Sequence, residues 1–187
     1  MDDLEYVSYE EFGRRFYEIA VTEERVGDAI AAIAGDEFEM GPMGQGPGKI
    51  AKVTAKVRIQ EPRVTRSNGE LVTFAIHIPL EIDMVIDLRI DKPKFMVFGE
   101  IALSATARAA EPLLLILDVQ KPRPSDIAIH VTSKSLRAEL LRIVAGVDAE
   151  IRRFISAHVA GEIDSPESVK AKVIDVAERL DETWTGV

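Results

Sequence analysis

The strongest signal in the chain is an alternation of apolar and polar positions from Val72 to Ile90. Val72, Phe74, Ile76, Ile78, Leu80, Ile82, Met84, Ile86, Leu88 and Ile90 occupy every second position, with Thr73, His77, Glu81, Asp83, Asp87 and Arg89 among the residues between them. A period of two belongs to a β-strand with one buried and one solvated face. At ~3.3 Å per residue the segment would extend about 60 Å, so strong twist or coiling is expected. Pro79 lies in the polar register and has no backbone donor, which predicts an edge, a bulge or a bend at that point. The same alternation appears in Val53, Ala55, Val57 and Ile59, and Asn68-Gly69 suits a tight type I′ hairpin turn. Beyond a turn at Asp91 to Lys94, Phe95, Val97, Ile101, Leu103, Ala105 and Ala107 form a third long strand, with Gly99 a candidate bulge. Shorter strands are predicted from Leu113 to Val119 and around Ile127, Ile129 and Val131, joined by the rigid Lys121 to Ser125 connection.

After Ser133 the period changes to 3.6. Leu136, Leu140, Ile143, Val144, Val147, Ile151, Phe154, Ile155, Val159 and Ile163 form one apolar stripe of a long helix. A shorter helix over 23–34 is predicted from Thr22 as N-cap, Val26, Ile30 and Ile33 at helical spacing, and Gly35 as the stop. Ser165-Pro166 opens a final helix through Val169, Val173, Val176, Leu180 and Trp184, although Val169, Ala171 and Val173 also alternate and leave a strand at its start open. Near the N-terminus, Ser8 and Glu11 stand at capping-box spacing for a brief helical turn before Gly13. From Arg15 to Val21 the alternation of Tyr17, Ile19 and Val21 favours a strand, with Phe12, Phe16 and Ile19 as the competing helical face.

Residues 41–49 contain four glycines and two prolines and are expected to form a loop without a regular element, a connection or a lid. The loop is no phosphate cradle. Met43 and Ile50 stand where a P-loop needs glycine and Ser or Thr, and Lys49 replaces the third glycine of the dinucleotide pattern.

Charge narrows the partners. With 32 acidic and 23 basic residues the formal net charge is −9, a mean field that repels nucleic acid and anionic bilayers. The chain has no cysteine, so disulfides and thiolate chemistry are excluded, and the acidic Met1 to Glu5 stretch lacks the features of a secretion signal. These features lead to the expectation of a cytoplasmic protein. No apolar run approaches the ~20 residues of a membrane-spanning helix. A length of 187 residues fits a single domain over 1–187, with a core over 15–163 and a helical segment over 164–187.

A helix with its side chains is ~10 to 12 Å wide, and four or five strands make a face about 20 Å across. One helix cannot cover that face if it is flat. The expected fold is therefore α+β, with a long, strongly twisted antiparallel sheet wrapped around the C-terminal amphipathic helix. Apolar surface left over must meet the N-terminal helix, a second copy of the chain in a homodimer, or a ligand. This order of elements resembles that of the tubular lipid-binding (TULIP) domains, and also that of the helix-grip fold. The stretches GPMGQGPGKI, ELLRIVAGVDAEIRRFI and VIDVAERLDETW are similar to those of a family of actinobacterial proteins. The TULIP resemblance implies that a lipid or another elongated apolar molecule lies between sheet and helix. On that reading Ile78, Leu80, Ile82 and Met84 line the site from the sheet, and Val144, Val147, Ile151 and Phe154 face them from the helix. Ordinary packed core is the favoured reading of the same residues, because an apolar stripe is normally filled by protein.

No cofactor or metal is expected. His77, His130 and His158 are dispersed without ligand spacing, and no nucleophile motif is present, so enzymatic activity has no sequence support. Glu81, Asp83 and Asp87 share a strand face and are the one candidate acid/base or cation cluster, on a face expected to be solvated. Two functions remain: binding of a lipid-like ligand, and a structural or interaction role in which the apolar surface is buried in a homo-oligomer.

Overall fold

The computed structural model of the protein describes residues 4–45, 51–130 and 138–184. Five helices and eight strands appear in the order α1 (Tyr9–Ala20), α2 (Glu23–Ala34), β1 (Glu37–Gln45), β2 (Ala51–Ile59), β3 (Arg63–Asn68), β4 (Val72–Asp87), β5 (Lys94–Ala110), β6 (Leu114–Val119), β7 (Ile127–His130), α3 (Ala138–Ile163), α4 (Pro166–Ala171), β8 (Val173–Asp175) and α5 (Val176–Trp184). The expected Leu136 and Val131 lie outside the described residues, as do 46–49 of the Gly/Pro segment.

All the strands join one antiparallel sheet, strongly curled, with the order β1-β2-β4-β5-β6-β8. Its spine is the long pair β4 and β5, in continuous register from Thr73 opposite Thr106 to Val85 opposite Lys94. Each spine strand carries two short strands in succession along its outer edge. β4 pairs first with β3 and then with β2, and β5 pairs with β7 and then with β6. A twisted strand of this length rotates its edge too far for one straight neighbour to follow, and two shorter strands with a break between them can.

Pro79 exploits that break. It sits in a central strand, opposite Glu100 of β5, and not at an edge. Its carbonyl accepts from the Gln60 N–H at 2.9 Å, so its donor-less nitrogen faces the interruption at residues 60–62, where no partner strand asks for an N–H. Gly99 forms no bulge either, since the register runs unbroken through Leu80 opposite Gly99. A Cβ there would come within 2.9 Å of the Ala128 carbonyl oxygen, so glycine is what allows β7 to lie this close.

The other departures from the expected elements have equally local causes. α1 is one continuous helix, not a turn followed by a strand. The Ser8 hydroxyl accepts the Glu11 N–H, Glu11 pairs with Arg14 and Arg15, and Arg14 pairs with Glu18, all at helical spacing. The Arg66 guanidinium donates to the carbonyls of Glu18 and Val21, placing positive charge at the helix C-terminus. β1 extends into the glycine-rich segment through Gln45, with an irregularity between Met40 and Met43. Gly41 there has φ 104°, and a Cβ would stand 2.6 Å from the Val53 carbonyl oxygen. The Asn68-Gly69 hairpin closes with Asn68 opposite Val72, so the connection is Gly69 to Leu71 and not a two-residue turn. β4 ends at Asp87, where Arg89 takes φ 68° and the chain bends away, leaving Ile90 fully exposed and not on the core face. The C-terminal segment is not wholly helical, because Val173 to Asp175 add a short strand beside β6.

The core lies on the concave face. Phe74, Ile76, Ile78, Leu80, Ile82, Met84 and Ile86 of β4 are buried, with Val97, Ile101 and Leu103 of β5 beside them. Two helices cover them. α3 contributes Val144, Val147, Ile151, Ile155, Val159 and Ile163, and α2 contributes Val26, Ile30 and Ile33. Among the described residues no helix is long and apolar enough to cross a membrane.

Candidate functional site

The helices do not cover the sheet evenly. α2 and α3 pack over most of it, whereas α1 has no buried residue at all. The reason is visible along β5, where the core-facing register changes from Val97, Ile101 and Leu103 to Ala105, Ala107 and Ala109. Alanine side chains are too short to reach a helix lying above them, and space remains.

That space is a cleft of about 610 Å³ between α1, the end of β5, the turn into β6, and α5. Phe12, Phe16 and Tyr17 line it from α1, Ala109 to Leu115 form its floor, and Val176 and Leu180 close the far side. Phe12 is 61% exposed, Leu113 50% and Leu180 48%, so large apolar side chains face open space there. The far wall is held to the floor by the Val176 N–H, which donates to the Leu113 carbonyl at 3.0 Å, and by Asp175, whose carboxylate accepts the Glu178 N–H at the start of α5. Burial raises the Tyr17 phenol above its ordinary value.

On the other side of α1 lies a second cleft of about 610 Å³. It shares Gly13, Tyr17 and Ala109 with the first, and the remaining walls include Tyr9, Glu10, Arg14, Glu18, Asn68 and Glu70. The first cleft is apolar and the second mixed, its polar groups set among Leu71, Val72, Ala107 and Ala109. A Cβ built on Gly13, at the border of the two, would meet nothing within 4 Å.

The eight residues expected to line a site divide into three groups. Ile78, Leu80, Ile82 and Val147 are packed in the core with 0 or 1% exposure. Met84, Val144 and Ile151 are also buried, and they border a depression of about 490 Å³ beside Ile129, Asp148 and Arg152. Phe154 stands apart from both, 42% exposed, its ring stacked on Phe38 with centroids 6.1 Å apart. Among the described residues the larger apolar opening is therefore at the α1 end of the sheet. The Ala105, Ala107, Ala109 taper was the sequence signal for it.

The acidic strand face is charge-compensated. Arg58 reaches both Glu81 and Asp83 at 3.1 Å, and Lys92 pairs with Asp87 at 2.9 Å. The hydrogen bonds from Lys92 and from the Arg89 N–H hold the Asp87 carboxyl below the usual range. Farther along the same outer face His77 and Arg63 both engage Glu100, and the His77 hydrogen bond lowers its carboxyl. Among the described residues no group of three or more His, Asp or Glu side chains is placed to hold a metal ion.

No protein-family model matches the sequence, and no curated protein matches it. A crystal structure of lipopolysaccharide binding protein is similar in fold, with a TM-score of 0.46 and 10% identity over 86% of this chain. The chain spans 38% of that protein's length.

Proposed function

We propose that the protein binds an elongated apolar molecule of the lipid class, seated in the cleft between α1, the β5–β6 turn and α5. One observation carries this reading: large apolar side chains, Phe12, Leu113 and Leu180, are left exposed around a concave space of about 610 Å³. That volume falls within the roughly 300–1,000 Å³ range of small-molecule sites. Removing such side chains from water contributes about 1.5–3 kcal/mol each, a standing incentive for an occupant. Ile78, Leu80, Ile82, Met84, Val144, Val147 and Ile151 lie in the packed core away from this cleft and are not assigned to it. Phe154 lies outside it.

The test is capture and retention. Gently purified protein is examined by native mass spectrometry and then by solvent extraction, and a fluorescent fatty alcohol is titrated into the delipidated protein. The expected result is a bound or bindable acyl chain, weakened by about tenfold or more in Leu113→Asp and Leu180→Asp variants. A protein that neither carries nor takes up any lipid, and that sizes as a stable dimer with the cleft covered, supports instead the interaction role in a homo-oligomer.

A further inference from the structure

Resting on that reading of the apolar cleft, we infer that the ligand is an amphiphile whose polar head occupies the second cleft and carries no negative charge. The two clefts are contiguous, sharing Gly13, Tyr17 and Ala109, and their linings differ in kind. A molecule with its chain against Phe12, Leu113 and Leu180 would carry its head across this shared border into the second cleft.

The polar groups of the second cleft favour positive charge. Glu10, Glu18 and Glu70 bring three carboxylates to it, and Arg14 is its only cation among the described lining residues. Arg14 is already committed, to Glu11 at 2.7 Å and to Glu18 at 2.8 Å. Glu10 and Glu70 have no ion-pair partner among the described residues, which leaves two carboxylates facing the cleft from opposite sides, one on α1 and one in the β3–β4 turn. The neighbouring Arg66 directs its guanidinium to the carbonyls of Glu18 and Val21. Glu111, in the floor of the first cleft, adds a further acid. A phosphate or carboxylate head placed here meets uncompensated like charge, whereas an ammonium head meets attraction and a hydroxylated head finds acceptors in Glu10, Glu70, Asn68 and the Tyr17 phenol. The chain's net charge of −9 adds to this preference at longer range.

The experiment uses the full chain and a set of single-chain amphiphiles with one tail and different heads, each below its micellar concentration. Hexadecyltrimethylammonium, a monoacylglycerol with a sixteen-carbon chain, palmitate and hexadecyl phosphate displace a fluorescent fatty alcohol from the protein, with far-ultraviolet circular dichroism recorded on each mixture to confirm that the fold persists. The cationic and neutral heads are expected to bind at least about tenfold more tightly than the anionic ones, with the cationic advantage shrinking at high salt. In a Glu10→Gln, Glu70→Gln double variant the ratio of cationic to anionic affinity falls toward one, each measured against the alcohol's own affinity for that variant. Equal or tighter binding of palmitate or hexadecyl phosphate, or a selectivity untouched by the double variant, overturns the head-group assignment and leaves the apolar site standing. Failure of the alcohol and of every amphiphile to bind overturns both.

Discussion

Gly13 is the residue on which stability and the proposed function can be separated. It lies inside α1, where glycine costs roughly 0.5–1 kcal/mol relative to alanine, and a side chain there would meet nothing within 4 Å. A Gly13→Leu variant is therefore expected to melt higher than the parent, by an amount corresponding to up to about 1 kcal/mol. It would also place a leucine in the junction of the two clefts and weaken amphiphile binding. Thermal unfolding and ligand titration on the same sample check both signs, and a variant that is more stable and binds as well as the parent removes the junction from the site. Gly99 has the opposite character. Its Cβ would meet the backbone oxygen of Ala128 at 2.9 Å, a neighbour that yields only by moving β7, so Gly99→Ala should lower unfolding stability by about 1–3 kcal/mol in urea titration. Core residues follow the ordinary rule. Ile82→Ala, at a fully buried position with no adjoining space, is expected to cost about 2–5 kcal/mol while leaving affinity at the α1 cleft unchanged.

At the scale of the element, α1 is the least securely held part of the fold. A 12-residue helix is marginal in water by itself, and this one buries no residue fully, with Tyr17 and Ala20 packed only partly against the core, so it leans on the Glu11 and Arg14 ion pairs and on Arg66 at its end. The arginine hydrogen bonds hold the Glu11 carboxyl below its ordinary value. A carboxyl depressed in the folded state stabilises above its unfolded pKa of about 4.3, and that contribution is lost as pH falls through the folded value. Hydrogen exchange followed from pH 6 to pH 3 should show α1 amides losing protection on the acid side, while β4 and β5 remain protected. The same dependence on local pairs explains why α1 was read as a strand. Tyr17, Ile19 and Val21 alternate and Gly13 interrupts, whereas the deciding Glu11–Arg14–Glu18 spacing is a weak signal beside an apolar pattern. Only Arg15 to Val21 favours a strand by its alternation, and the competing helical face of Phe12, Phe16 and Ile19 is the one that carries part of the wall. β1 was lost for a related reason, since Gly41 and Pro42 sit at an irregularity that strand propensity does not anticipate. By contrast β2, β4, β5, α2 and α3 each carry three or more apolar positions at a single period, and their identities are legible at once.

Across the whole molecule, the one-sided apolar strands are visible in the sequence, but how the helices cover them is not: the core-facing positions from Phe74 to Ile86 of β4 are fully buried within the monomer. Periodicity says which face of β4 and β5 is buried, and only the pairing pattern says that α2 and α3 share the work over most of the face and leave the Ala107 to Leu115 end to α1 and α5. That division makes a prediction about the assembly. Because α1 adds no buried residue to the core, a chain lacking residues 1–20 should still fold, with the sheet signal in circular dichroism and a cooperative unfolding transition retained. It would nevertheless leave Ala109, Leu113, Leu114 and Leu115 without their cover, an apolar patch that water penalises and a second copy can relieve. Light scattering on the shortened chain should therefore report stronger concentration-dependent self-association than on the full chain, and a fluorescent fatty alcohol should bind more weakly or not at all. Self-association suppressed by added amphiphile would tie both effects to one surface. If the shortened chain instead unfolds, α1 contributes to the core beyond what its exposure indicates; if it folds, stays monomeric and binds as before, the cleft beneath α1 is not where the ligand lies.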